Sequence, residues 1–284
     1  MPRVAVDGLS LAVHEWPGRD RRARPLVAIH GLTANHTCWA SVAEALTPAH
    51  RLIAYDLRGR GDSDKPATGY SLEHHCRDLE SLLDRYVVRG RQAVALLGHS
   101  LGAHIALRFA ATRPRRVARL VLVDGGFDVR AEILDALAPA IGRLGQEFPS
   151  REAFLDRMRD LPMLRGRWNP YLERYFHYDV EDLPSGAVRA KASRAAIAEE
   201  LMNLARERLW VLHHRVRCPT LILRAPDGLL TQTDCLMTAE EGRALAAAIP
   251  RATLVTVPGT NHYTVLIGRN LRVQAAMRRF LAGS

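Results

Sequence analysis

The chain has 284 residues, 48% of them apolar and 25% charged, a balance that excludes a disordered polymer and suits one large α/β domain or one domain carrying an insertion. Its formal net charge of +10 comes almost wholly from arginine, since Lys65 and Lys191 are the only lysines, and the arginines are scattered rather than gathered into a basic arm. A solvated surface is therefore expected, with no nucleic-acid partner.

The first residues lack an apolar targeting segment, and no window reaches the roughly 18 apolar residues of a membrane span, so a cytoplasmic location without a membrane partner is expected. Residues 4–13 alternate around Asp7-Gly8 and predict an opening β-hairpin. A charged loop at 19–24 precedes a buried strand at 26–29. A helix at 38–46 stops at Thr47-Pro48, a strand follows at 51–55, and Ser71 caps a helix that runs to about Val88. Strands at 93–97 and 119–123 flank a helix at 103–110. These apolar runs do not alternate, which implies strands buried on both faces and hence a doubly wound, mostly parallel sheet covered by helices.

From 127 to 217 the pattern changes to helix-like segments at 130–144, 151–159 and 190–213. Strand alternation resumes at 219–223, followed by a helix at 239–248 and a last strand at 252–257. The division expected is a core of residues 1–126 and 218–284 interrupted by a helical cap at 127–217.

Gly98-His99-Ser100-Leu101-Gly102 joins the strand at 93–97 to the helix behind it. That context makes it a nucleophile elbow, a sharp turn that lifts the Ser100 hydroxyl above the sheet while glycines admit neighbouring backbone. A serine hydroxyl needs a base, and His262, in the loop after the last predicted strand, falls at the same carboxyl edge of the sheet. His99 competes only by its place beside Ser100 in the chain. For the acid that orients the imidazole, Asp124 at the end of the next strand is preferred, with Asp227 and Asp234 as alternatives. The amides of Leu101, directly after the nucleophile, and Leu32, after His30-Gly31, are candidates to hold an oxyanion.

Cys38, Cys76, Cys218 and Cys235 are far apart, and the adjacent pairs His74-His75 and His213-His214 cannot present two ligands on one helix face. Free thiols, no metal and no cofactor are expected.

The His30-Gly31 strand end, the turn from Asp56 through Arg58-Gly59-Arg60-Gly61 to Ser63, the elbow and the late His262 together resemble the α/β-hydrolase family over nearly the whole chain. The resemblance implies an eight-stranded sheet, a triad of Ser100, an acid and His262, and a cap that shapes the substrate pocket. In most of that family the acid follows the penultimate strand, where Asp227 lies; some capped relatives place it one strand earlier, as at Asp124. A serine nucleophile speaks against the aspartate chemistry of haloalkane dehalogenases and epoxide hydrolases.

Trp168, Tyr171, Tyr175, Phe176 and Tyr178 concentrate in the cap and favour an apolar or aromatic ligand, or else they only pack the cap on the core. The function expected is hydrolysis of a small to medium carboxylic ester or lactone through an acyl-enzyme. Carbon–carbon bond hydrolysis of meta-cleavage type and a non-catalytic ligand receptor on the same fold are the alternatives, and a homo-oligomer is possible.

Overall fold

The computed structural model describes residues 1–284 except 20–24, 48, 88–91, 129, 232 and 284, and of residues 131–134 it describes the backbone alone. Three predicted features touch those exclusions: most of the charged loop at 19–24, and the ends at Pro48 and Val88 of two helices, lie outside the described residues.

Strands β1 (Arg3–Val6) and β2 (Leu9–Trp16) pair antiparallel, with Val4 opposite Leu11. Asp7 and Gly8 turn between them at φ of 35° and 80°, the left-handed pair that a two-residue hairpin turn requires. The parallel strands begin with β3 (Leu26–Ile29), and a short 3₁₀ turn then leads into helix α1 (Ala40–Leu46) and strand β4 (Leu52–Tyr55). Ser71 accepts the His74 amide to cap α2 (Leu72–Leu82). Next come β5 (Val94–His99), α3 (Leu101–Thr112) and β6 (Val117–Val123), whose apolar residues are almost all buried because helices cover both sides of these strands.

Between β6 and the next strand of this sheet lie α4 (Ala131–Gly142), β7 (Glu147–Phe148), α5 (Arg151–Arg159), α6 (Pro170–Tyr178), β8 (Val180–Asp182), β9 (Val188–Ala190) and α7 (Arg194–Leu204). The purely helical insertion expected from the sequence is thus corrected: it carries a small antiparallel sheet in the order β7-β9-β8. Strands of two or three residues are too short to show a period of two. The helix predicted over 190–213 is also divided, because β9 ends at Ala190, Ser193 caps α7 through the Ala196 amide, and a separate 3₁₀ turn spans Leu209–Arg215.

The chain then returns to the large sheet with β10 (Thr220–Arg224), α8 (Ala239–Ala248), β11 (Ala252–Thr256) and α9 (Leu271–Ala282). Thr238 and Glu241 cap α8 reciprocally. The eight strands run β1-β2-β4-β3-β5-β6-β10-β11; β1 and β2 are antiparallel and the rest parallel, so β5 and β6 are neighbours near the middle. Their carboxyl ends, and those of β3 and β10, open on one edge. Among the described residues no helix is long and apolar enough to cross a membrane.

Candidate active site

Ser100 follows β5 with φ 55° and ψ −121°, a backbone conformation that L-residues rarely adopt and that stores strain of roughly 1–3 kcal/mol. Its amide donates to the Val123 carbonyl of β6 at 3.0 Å, which ties the turn to the adjacent strand. Crowding explains the flanking glycines. A Cβ at Gly98 would stand 2.2 Å from the Gly102 carbonyl oxygen, and one at Gly102 would stand 2.1 Å from that of Ile29. Strand, turn and helix can therefore close on one another only with hydrogen at both positions.

Asp124 directly follows β6 and is likewise left-handed, at φ 48°. Its buried carboxylate lies 2.8 Å from His262 Nδ1 through Oδ2, while Oδ1 accepts the Ala225 amide at 3.1 Å. Asp227 is placed otherwise. Its amide donates to Thr260, close to the His262 loop, but its carboxylate faces outward to Arg167 at 2.9 Å. Asp234 accepts the amides of Leu229, Leu230 and Thr231 and so closes its own loop. Of the three candidate acids, Asp124 is the one in contact with His262.

Ser100 and His262 line one recess, with Gly31, Leu32, Ile141 and Tyr175 among its other walls. A second recess meets the first at Leu32, Ser100 and Leu137 and continues over Leu101 and Phe127. They are narrow, about 40 and 30 Å³. The Ser100 hydroxyl makes no hydrogen bond to the described residues; nucleophile and base face a common space, an arrangement that commonly tightens when substrate binds. Neither the Leu32 nor the Leu101 amide donates to another group among the described residues, so both remain available to an oxyanion.

Three surrounding histidines shape this geometry; the sequence offered His99 only as a rival base and His30 only as part of the strand-end motif before Leu32, and it left His104 without a part. His99 Nε2 donates to the His262 carbonyl at 2.9 Å, and the two rings lie 4.5 Å apart, so the residue beside the nucleophile holds the loop that carries the base. Burial lowers the His99 pKa well below the usual histidine range, which keeps it a neutral donor. His30 donates from Nδ1 to the Gly31 carbonyl and accepts the Leu57 amide at Nε2, joining the ends of β3 and β4; burial pushes its pKa down to about 4. His104 lies in the second recess, one turn along α3 from Ser100.

Leu32 is fixed from behind by a charged group. Arg60, fully buried, donates Nε to the Leu32 carbonyl and Nη1 to the Arg58 carbonyl, both at 2.9 Å, and its Nη2 meets Glu200 of α7 at 2.9 Å. His75 shares the same Glu200 oxygen at 2.7 Å. Burial opposes the Glu200 charge, yet His75 and Arg60 outweigh it and hold the carboxyl below its usual range. Glu200→Gln leaves the Arg60 charge uncompensated and is expected to lower stability by about 3–5 kcal/mol in denaturant unfolding; a loss below about 1 kcal/mol would show that the pair carries no such weight.

Of the two roles open to the cap aromatics, lining the pocket or packing the cap, most take the second. Tyr175 lines the first recess, whereas Trp168 stacks on Phe176 at 5.6 Å, and the Tyr171 and Tyr178 hydroxyls reach Glu44 and Asp56. The described walls are largely aliphatic. Arg143 stands near them but is neutralised by Asp179 at 2.8 Å. No cluster of metal-ligating side chains occurs among the described residues.

A strained serine behind a central strand, a buried aspartate–histidine pair and two idle amides at one sheet edge define a hydrolase-type site. The model of the alpha/beta hydrolase family matches residues 26–274, and the chain belongs to that family. It is similar to the 2-(acetamidomethylene)succinate hydrolase of Mesorhizobium japonicum, at 30% identity over 96% of this chain and 92% of that protein. The putative carbamate hydrolase RutD of Klebsiella pneumoniae is 31% identical over 89% of this chain and 88% of its own. Among solved structures, that of E-2-(acetamidomethylene)succinate hydrolase superposes with a TM-score of 0.83 at 27% identity, covering 99% of this chain and 98% of that one. An enol-lactonase from Burkholderia xenovorans LB400 shares the fold, with a TM-score of 0.74 at 21% identity over 99% of this chain and 100% of its own.

Proposed function

We propose that the chain is a serine hydrolase that cleaves a small to medium, uncharged carboxylic ester or lactone through an acyl-enzyme. The observation that carries this reading is the Asp124–His262 contact at 2.8 Å beside a recess shared by His262 and Ser100. Ser100 Oγ attacks the carbonyl carbon and His262 Nε2 takes its proton, with Asp124 stabilising the imidazolium. The Leu32 and Leu101 amides hold the oxyanion, each contributing about 2.7–4 kcal/mol to the transition state. His262 then protonates the departing alkoxide and activates the water that frees the acid. No cofactor, nucleic acid or membrane enters this scheme. Residues 127–217 act as the cap over the core of 1–126 and 218–284, supplying Leu137, Ile141 and Tyr175 to the walls.

The charge of the substrate follows from the lining. Apart from His262, Asp124 and the neutral His99 and His104, the described walls carry no ionisable group except Cys38, Tyr175 and Tyr263, so an anionic substrate meets no free cation there.

Amide or carbamate cleavage is a second reading, favoured by the hydrolase names of the two relatives at 30% and 31% identity. It uses the same triad, with His262 protonating an amine. A fluorophosphonate probe is expected to label Ser100 and no other residue, and a p-nitrophenyl ester to be hydrolysed with higher kcat/KM than the matched p-nitroanilide. The reverse order of the two substrates would favour the amide reading, and an unlabelled Ser100 would remove both.

A further inference from the structure

His104 is only 5% exposed, and neither of its ring nitrogens has a hydrogen-bond partner among the described residues. The Phe127 carbonyl lies near enough to favour the charged ring slightly but misses hydrogen-bond geometry, and the Phe127 ring stands edge-on at 6.1 Å. The ring borders the second recess, whose other walls include Leu101, Phe127, Leu201 and Leu204. A leucine would fill such a place without leaving polar atoms unpaired. Buried polar groups are otherwise nearly always satisfied, so two buried, unpaired nitrogens on a ring that borders a recess next to Ser100 point to a partner that arrives with the ligand.

The two recesses also differ in which part of a substrate they can take. His262 lines the first and must protonate the leaving group, so the leaving group lies on that side. The second recess contains Ser100 and Leu101 without His262, and it is left for the acyl moiety. His104 stands four residues beyond Ser100 on one helix, about 6 Å along its axis.

Resting on the acyl-hydrolase reading above, we infer that His104 is a specificity-determining residue that binds a neutral polar group, a ketone or amide carbonyl, carried by the acyl chain three or four bonds from the scissile carbonyl. Burial pushes the His104 pKa down to about 4, so at neutral pH the ring offers one N–H and one bare nitrogen and no positive charge. A carbonyl gains a hydrogen bond to it. A carboxylate at the same place gains no ion pair and gives up its hydration.

The test compares p-nitrophenyl pentanoate, its 4-oxopentanoate analogue and the p-nitrophenyl monoester of succinate, read as kcat/KM and as protection of Ser100 from a fluorophosphonate. The wild-type protein is expected to favour the 4-oxo ester over the pentanoate by about tenfold, the size of one well-made hydrogen bond, and to disfavour the succinate. His104→Leu should erase the preference, and His104→Gln, which keeps a donor and an acceptor, should retain much of it. In the free protein His104→Leu is expected to raise Tm, because an apolar side chain replaces unpaired polar atoms. A structural role would instead lower Tm and slow all esters alike. An unchanged oxo-to-alkyl ratio in His104→Leu, or no preference in the wild type, overturns the assignment of His104 alone. Failure of the probe to label Ser100 overturns the acyl-hydrolase reading beneath it.

Discussion

Asp124→Asn is expected to lower kcat by about 10⁴-fold, and Asp227→Asn to leave it within a few-fold of wild type. The hydrogen bonds around residue 124 set the size of the first effect. Oδ1 accepts the Ala225 amide and Oδ2 faces His262 Nδ1. An asparagine must keep its oxygen toward Ala225, since an NH₂ there would oppose an N–H donor. Its NH₂ group then meets His262 Nδ1, which forces the proton onto Nε2 and removes the base from Ser100. The change is nearly isosteric and buried, so folding should survive while proton transfer does not. At Asp227 the substitution only weakens a half-exposed pair with Arg167, worth at most about 1 kcal/mol. Steady-state turnover of a p-nitrophenyl ester, with Ser100→Ala as the floor, measures both. Equal losses at the two positions, or a larger loss at Asp227, would sink the triad proposed above.

The two carboxylates show where the sequence stops being readable. Both follow strands that end at the same edge of the sheet, and a strand pattern places Cα atoms along that edge without saying which side chain turns inward. The difference arises from two facts of three-dimensional packing. The strand before Asp124 is the immediate neighbour of the elbow strand, and Asp124 takes a left-handed φ that aims its carboxylate at His262. Asp227 meets Arg167, a residue of the insertion that no local pattern connects with it. The hairpin and the central strands were legible because alternation and unbroken apolar runs are local signals, and the elbow because strand, glycines and helix are contiguous. The small β7-β9-β8 sheet was not, for want of length. The last helix, α9, went unassigned although Val273, Met277 and Leu281 recur every four residues on its buried face. His99 and Arg60 illustrate a further limit: one holds the His262 carbonyl and the other the Leu32 carbonyl, and neither bond has any trace in sequence spacing.

Folding stability is expected to fall steeply between pH 7 and pH 5, before carboxylates begin to protonate. Burial lowers the pKa of His14, His30, His99, His104 and His213, and pushes those of His30 and His104 to about 4 from an ordinary 6.5. Each is therefore neutral in the folded protein at a pH where the unfolded chain has already bound a proton. A group of this kind stabilises the fold fully above pH 6.5, and the contribution drains away as pH falls toward the folded value. At about 1.36 kcal/mol per pKa unit, His30 and His104 together lose on the order of 4 kcal/mol by pH 5. Asp56 and Glu200, held low by their partners, are lost only below about 4.5, while Asp179, raised by burial, acts in the opposite sense. The window from 6.5 to 5 therefore belongs chiefly to the histidines. Urea unfolding at pH 7 and pH 5 measures the loss, and His104→Leu should shrink it by nearly half of the pair's share, having no proton to bind in the unfolded chain. Equal stability at the two pH values would mean that these rings charge within the fold, and the neutral hydrogen-bond roles derived for His30, His99 and His104 would fall together.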